Sequence, residues 1–203
     1  MESPAAAALT GLLTGAALII AIGAQNAYVL RQGIRREHVL PIVAICALSD
    51  AVLIIAGVGG MGALVEAAPG LITAVKWLGA AFLIAYGLLA ARRALHAEHL
   101  DAAANGGGPV PLRTAILTVM AFTWLNPHVY LDTLVFLGSV ATSHAGQRWW
   151  FAAGAAGASL LWFTGLGYGA RLLAPIFARP IAWRVLDAVI AVVMIALGIS
   201  LLR

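Results

Sequence analysis

The sequence is short of charge and of cysteine. Only 10% of its 203 residues are Asp, Glu, Lys or Arg, against roughly a quarter in a soluble domain. So few charges cannot cover a water-soluble surface of this size. The one cysteine, Cys46, excludes an intramolecular disulfide. The short alternating segments of a transmembrane β-barrel are missing. Before Arg31 the only charge is Glu2, so the positive n-region of a secretory signal is missing too. Ser3-Pro4 reads instead as an N-cap followed by proline at the first helical position, and the first helix is expected to be retained.

What is present is apolar and arrives in blocks. Hydrophobic residues make up 63% of the chain, and the mean hydropathy is +0.98. The blocks approach or exceed the roughly 20 residues that a membrane-crossing helix needs. They fall at 5–30, 39–64, 71–91, 112–142, 149–173 and 181–202. The predicted fold is an all-α integral membrane protein with six transmembrane helices. Its halves are 1–94 and 112–203, joined by a polar linker, 95–111, with a flexible Gly106-Gly107-Gly108-Pro109 patch.

The net charge of +4 points to cytoplasmic loops, not to nucleic acid, because basic residues collect on the cytoplasmic side. The loops between spans one and two, three and four, and five and six carry Arg31, Arg35, Arg36, Arg92, Arg93, Arg113, Arg171, Arg179 and Arg184. The other side carries Lys76, Arg148 and Arg203. This bias predicts a cytoplasmic linker and both termini outside. The prolines lie at or near segment ends, except Pro127. Mid-segment, Pro127 frees a backbone carbonyl one turn back and predicts a helix break.

The halves echo each other. Asn26-Ala27-Tyr28-Val29-Leu30 aligns with Asn126-Pro127-His128-Val129-Tyr130, Gly57-Val58-Gly59 with Gly165-Leu166-Gly167, and Tyr86-Gly87 with Leu197-Gly198. Three spans per half force opposite orientations, an inverted 3+3 repeat. Secondary transporters are built this way, with the site near midplane on discontinuous helices.

Two carboxylates, Asp50 and Asp132, lie within apolar blocks with no Lys or Arg at comparable depth. Each needs a proton, a wet cavity or a transported cation; a protonated Asp bonded to a neighbouring helix is the structural alternative. Asp187 stands one turn from Arg184 and is expected to pair with it. His128 and Asp132, four apart, form either a proton relay or a self-satisfied pair. Asn126 and Tyr130 share that spacing. Half-helix ends near Asn26 and Asn126 would offer carbonyls to an ammonium or N–H groups to a carboxylate. Ser49, Ser159 and Thr164 are expected to bond locally or across helices, and the pairs Gly11/Gly15 and Gly165/Gly169 to pack within one chain or between chains. His96-Ala97-Glu98-His99 reads as a solvated loop, so no metal and no cofactor is expected. No hydrolase constellation is visible.

The runs from Gly23 to Arg36, Leu48-Ser49-Asp50 with Ala56-Gly57, Thr123 to Thr133, and Arg148-Trp149 with Ser159 to Phe163 resemble the LysE/ArgO basic amino-acid exporter family. The likeness covers essentially the whole chain. It implies export of L-lysine or L-arginine across the bacterial inner membrane, driven by the proton gradient or the membrane potential. The candidate substrate or proton residues are Asp50, Asp132, Asn26, Asn126, Tyr130, Gln25 and His128. Their partners would be a basic amino acid, protons and lipid, in a monomer or homo-oligomer. The family often has Gly-Pro-Gln-Asn where this chain has Gly23-Ala24-Gln25-Asn26, so a softer break is expected here. The rival readings are a neutral amino-acid or derivative exporter and a membrane assembly subunit without transport.

Overall fold

A computed structural model describes residues 3–20, 23–61, 69–95 and 110–202. The linker glycines and the His96–His99 cluster lie outside the described residues, as does Arg203.

Every described element is helical. Helix α1, Pro4–Ile19, starts as the sequence predicts: Ser3 Oγ accepts from the Ala6 N–H at 3.2 Å. Helix α2, Ala24–Arg35, follows at a bend of 85°. The first block is therefore not one continuous helix over 5–30, and its break is sharp without a proline. The supposed loop after Leu30 is helical as far as Arg35. Arg36 ends it in the left-handed region at φ 57°, with its N–H on the Gly33 carbonyl and the Glu37 N–H on the Gln32 carbonyl.

Helix α3, Val39–Ala56, runs into a π-helical turn, Gly57–Met61. Gly60, at φ +101° inside that turn, takes a backbone geometry that side-chain-bearing residues avoid. Helix α4 is Pro69–Leu95 and α5 is Leu112–Trp124. After Leu125 and Asn126 comes the short helix α6, Pro127–Val129. A second π-helix, Tyr130–Leu137, and α7, Gly138–Ser143, complete that block. Helix α8 is Arg148–Gly169 and α9 is Pro180–Leu202. Among the described residues, three helices are long and apolar enough to cross a membrane alone, and four spans result if the bent α1–α2 pair counts as one.

The outer surface is apolar in stripes. Leu48, Val52 and Ile55 on α3 are exposed, as are Val185, Val189 and Val192 on α9. Each set keeps one helix face. In water such stripes would aggregate; in lipid they are the favoured surface. The chain is a helical membrane protein.

Helices meet through glycine, as expected where apolar solvent gives no hydrophobic drive and close packing must hold helices together. A Cβ on Gly11 or on Gly154 would strike the backbone of Phe151 or Ala8, so α1 and α8 are in backbone contact within one chain. On α4 and α9 the contacts are reciprocal: a Cβ at Gly87 would sit 2.7 Å from Ile195 Cγ1, and one at Gly198 2.7 Å from Ile84 Cγ1. Two one-way approaches add to this: a Cβ on Gly33 of α2 would meet the Gly167 carbonyl on α8, and one on Gly138 of α7 the Gly57 carbonyl. By contrast, Gly165 and Gly169 have nothing within 4 Å of such a Cβ.

Candidate functional site

The two breaks face one cavity of about 230 Å³. Gln25, Asn26, Asp50, Asn126, His128 and Asp132 all line it, so six of the residues picked from sequence meet there. Tyr130 is not on that lining.

At the first break the backbone leaves the helix after Ile19. Asn26 Nδ2 donates to the Ile19 carbonyl at 2.7 Å, and Trp162 Nε1 on α8 donates to Asn26 Oδ1 at 3.2 Å. One amide thus caps the outgoing half-helix and ties it to a neighbour. The N-cap of α2 is Gly23, which has no side chain to satisfy the first N–H groups. Gln25 Nε2 is buried with no hydrogen-bond partner; beside it lies the thiol of Cys46, a weak acceptor.

At the second break the roles differ. Asn126 is itself the N-cap: its Oδ1 accepts from the His128 N–H at 3.1 Å, with Pro127 at the first helical position. The carbonyls around the proline break are taken up locally. The Asn126 N–H reaches the Thr123 carbonyl at 3.4 Å, and Tyr130 Oη donates to the Trp124 carbonyl at 2.7 Å. Tyr130 therefore stabilises the break. The following π-helix widens the backbone at Tyr130–Leu137, and such turns recur at functional sites.

The carboxylates differ as well. Asp50 is buried, and Ser159 Oγ on α8 donates to its Oδ2 at 2.6 Å. Asp132 is exposed at the rim, one turn beyond exposed His128. Neither has an ion-pair partner among the described residues. The cavity thus presents two carboxyl groups, amide groups at both breaks, and walls that include Phe82, Phe122 and Phe163. Its volume lies just under the roughly 300 Å³ at which small-molecule pockets begin, a size for one small solute. Carboxyl groups can hold a cation, and amide N–H groups can hold a carboxylate. Among the described residues no three His, Cys, Asp or Glu side chains group to hold a metal.

Asp187 is not paired with Arg184. Its Oδ1 accepts from Arg31 Nη1 on α2 and from Arg93 Nε on α4, the latter at 3.2 Å, while Arg184 Nε donates to the Ala94 carbonyl at 3.2 Å. The i, i+3 spacing made Arg184 available, but the fold delivers two arginines from other helices to a carboxylate that is only 2% exposed.

Sequence reasoning passed over Ser159 and Trp162. It placed the serine among residues that bond locally or across helices, and the second is what occurs: Ser159 reaches Asp50, and Ser49 Oγ accepts from Trp124 Nε1 at 3.3 Å. The available signal was that both lie in the 159–163 run.

The family model described as LysE type translocator matches residues 16–203. A Mycobacterium tuberculosis protein provisionally named an amino-acid transporter is 50% identical, over 91% of each chain. The arginine exporter protein ArgO of Salmonella enteritidis is 44% identical, over 95% of this chain and 92% of its own. The lysine exporter LysE of Corynebacterium diphtheriae is 39% identical, over 92% and 94%. No solved structure matches.

Proposed function

The chain belongs to the LysE type translocator family, and on that premise we propose that it is a secondary exporter of a basic amino acid, L-arginine or L-lysine, across the bacterial inner membrane. The family consists of transporters, not enzymes. Export is driven by the proton gradient or the membrane potential. The observation that carries the substrate class is one cavity with two carboxylates that have no ion-pair partner among the described residues. Asp50 and Asp132 take the substrate cation or the coupled proton. Gln25, Asn26 and Asn126 shape the polar wall, and His128 sits beside Asp132 at the rim.

The architecture that goes with this reading is six spans in two inverted halves, 1–94 and 112–203, with the linker 95–111 cytoplasmic and both termini outside. The reciprocal glycine contacts support it. Gly87 and Gly198, aligned in the sequence repeat, exchange equivalent contacts across α4 and α9. Two-fold symmetry in the membrane plane generates such pairs.

Counterflow in proteoliposomes tests the reading. Vesicles loaded with unlabelled arginine or lysine should accumulate labelled arginine and lysine. Vesicles loaded with homoserine or leucine should not. Counterflow of the neutral amino acids alone would move the substrate class to them, and no flux of any of these would sink the export reading. Asp50→Asn should lower export from loaded cells to background with the protein still in the membrane.

A further inference from the structure

The arginine-rich end of the bundle is shut by two layers, in the same order along α2 and α4, with α9 supplying the carboxylate of the second. Along α4, Gly79, Phe82 and Leu83 line the cavity; Tyr86 comes next, then Arg93. Along α2, Gln25 and Asn26 line it, then come Tyr28 and Arg31. Along α9, read backwards, Leu201 and Leu197 line it and Asp187 lies beyond.

The first layer is aromatic. Tyr28, Phe82, Tyr86 and Phe122 form a closed set: Phe82 and Phe122 centroids are 4.9 Å apart, Tyr86 and Phe122 5.0 Å, Tyr28 and Phe122 5.5 Å. Phe82 and Phe122 are the cavity floor. The second layer is the ion cluster. Arg93 lies over the Tyr86 ring, 5.6 Å from its centroid, and shares Asp187 with Arg31. Two guanidinium groups on one carboxylate leave an excess positive charge, and Arg93 Nη2 is buried with no hydrogen-bond partner. A solute leaving the cavity toward this end must part both layers. No charge of the cluster reaches the cavity, so the site reading above does not use it.

We propose that Asp187 is a second binding position for the substrate's cationic group, at the arginine-rich entrance, which Arg31 and Arg93 occupy in its absence and thereby latch the gate. The chemistry is exchange of like for like. A guanidinium or ammonium arriving at Asp187 replaces the contact that holds α2 to α9. Removing the partner of a buried charge is costly while that charge stays buried, so exchange goes with exposure of the two guanidinium groups to water, and the substrate cation shifts the population toward that open state. The aromatic layer below then has no charged lid. This inference rests on the basic-amino-acid reading.

Cysteine accessibility tests it on the full chain in native membrane vesicles. In a Cys46→Ala background, Ala121→Cys places a thiol on the cavity wall. A membrane-impermeant maleimide is added from the arginine-rich side. Labelling should be slow without substrate, faster with arginine or lysine, and unchanged with leucine. Asp187→Asn should label at least about tenfold faster than the parent, with no further effect of arginine. Arg31→Gln, which leaves Asp187 its Arg93 partner, should label at an intermediate rate, and it serves if Asp187→Asn does not reach the membrane. Asp187→Glu should keep the response to arginine. If Asp187→Asn and Arg31→Gln both label at the parental rate, the latch is overturned. If arginine still accelerates labelling in Asp187→Asn, exchange at that carboxylate is overturned. The export reading fails separately, by absent counterflow.

Discussion

Asp50 depends on one hydroxyl. A hydrogen bond to a charged group contributes about 1.5–3 kcal/mol, and Ser159 supplies the one bond seen at Asp50 Oδ2. Ser159→Ala should leave the carboxylate mis-set, raising the KM for export while the amount of protein in the membrane holds. Ser159→Thr should restore most of it. Initial efflux rates over a range of internal substrate concentrations decide; an unchanged KM in the alanine variant would reduce Ser159 to a packing residue. Asp50 stood out in the sequence because a lone carboxyl in an apolar run needs a proton, a wet cavity or a cation. Its serine did not, because a hydroxyl in a Gly- and Ala-rich helix can bond its own backbone equally well. Asp187 was misread for a related reason: spacing reveals partners one turn away, while Arg31 and Arg93 lie 156 and 94 residues distant.

The two broken blocks line the cavity, and their breaks are made differently. Pro127 announces the second in the sequence. The first, at Gly23-Ala24-Gln25-Asn26, lacks proline and yet turns by 85°, because Asn26 closes off α1 from seven residues away and Gly23 opens α2 without a side chain. The position of each break was therefore legible, and the angle of the first was not. Packing of these elements rests on glycine in a graded way. Gly33→Ala would drive a methyl into the Gly167 carbonyl and Ala170, an overpacking that should destabilise by about 1–3 kcal/mol. Gly157→Ala on α8 meets nothing within 4 Å and replaces a poor helix former, worth up to about 1 kcal/mol in its favour. Thermal unfolding in detergent should rank Gly33→Ala below the parent and Gly157→Ala at or above it; the reverse order would discredit the α2–α8 contact.

At the scale of the whole molecule the apolar exterior and helical class were plain from composition. Which helix lies against which was not: the α1–α8 pairing joins elements more than a hundred residues apart, and nothing local encodes it. The span count and orientation make a direct prediction. A phosphatase that works only outside the cytoplasm should be active when fused after residue 203 and inactive when placed within 95–111. Activity in the reverse pattern would overturn the positive-inside reading. The hydrogen bonds at the breaks have one more consequence. Of the six tryptophans, Trp162 donates to Asn26 on the cavity lining, so one indole is wired to a residue that solute entry would disturb. Indole emission follows ring polarity and hydrogen bonding. Purified protein titrated with arginine should shift its intrinsic fluorescence, and Trp162→Phe should remove most of that shift. Such a shift would make the chain its own optical reporter of occupancy, with affinity read in detergent and no label.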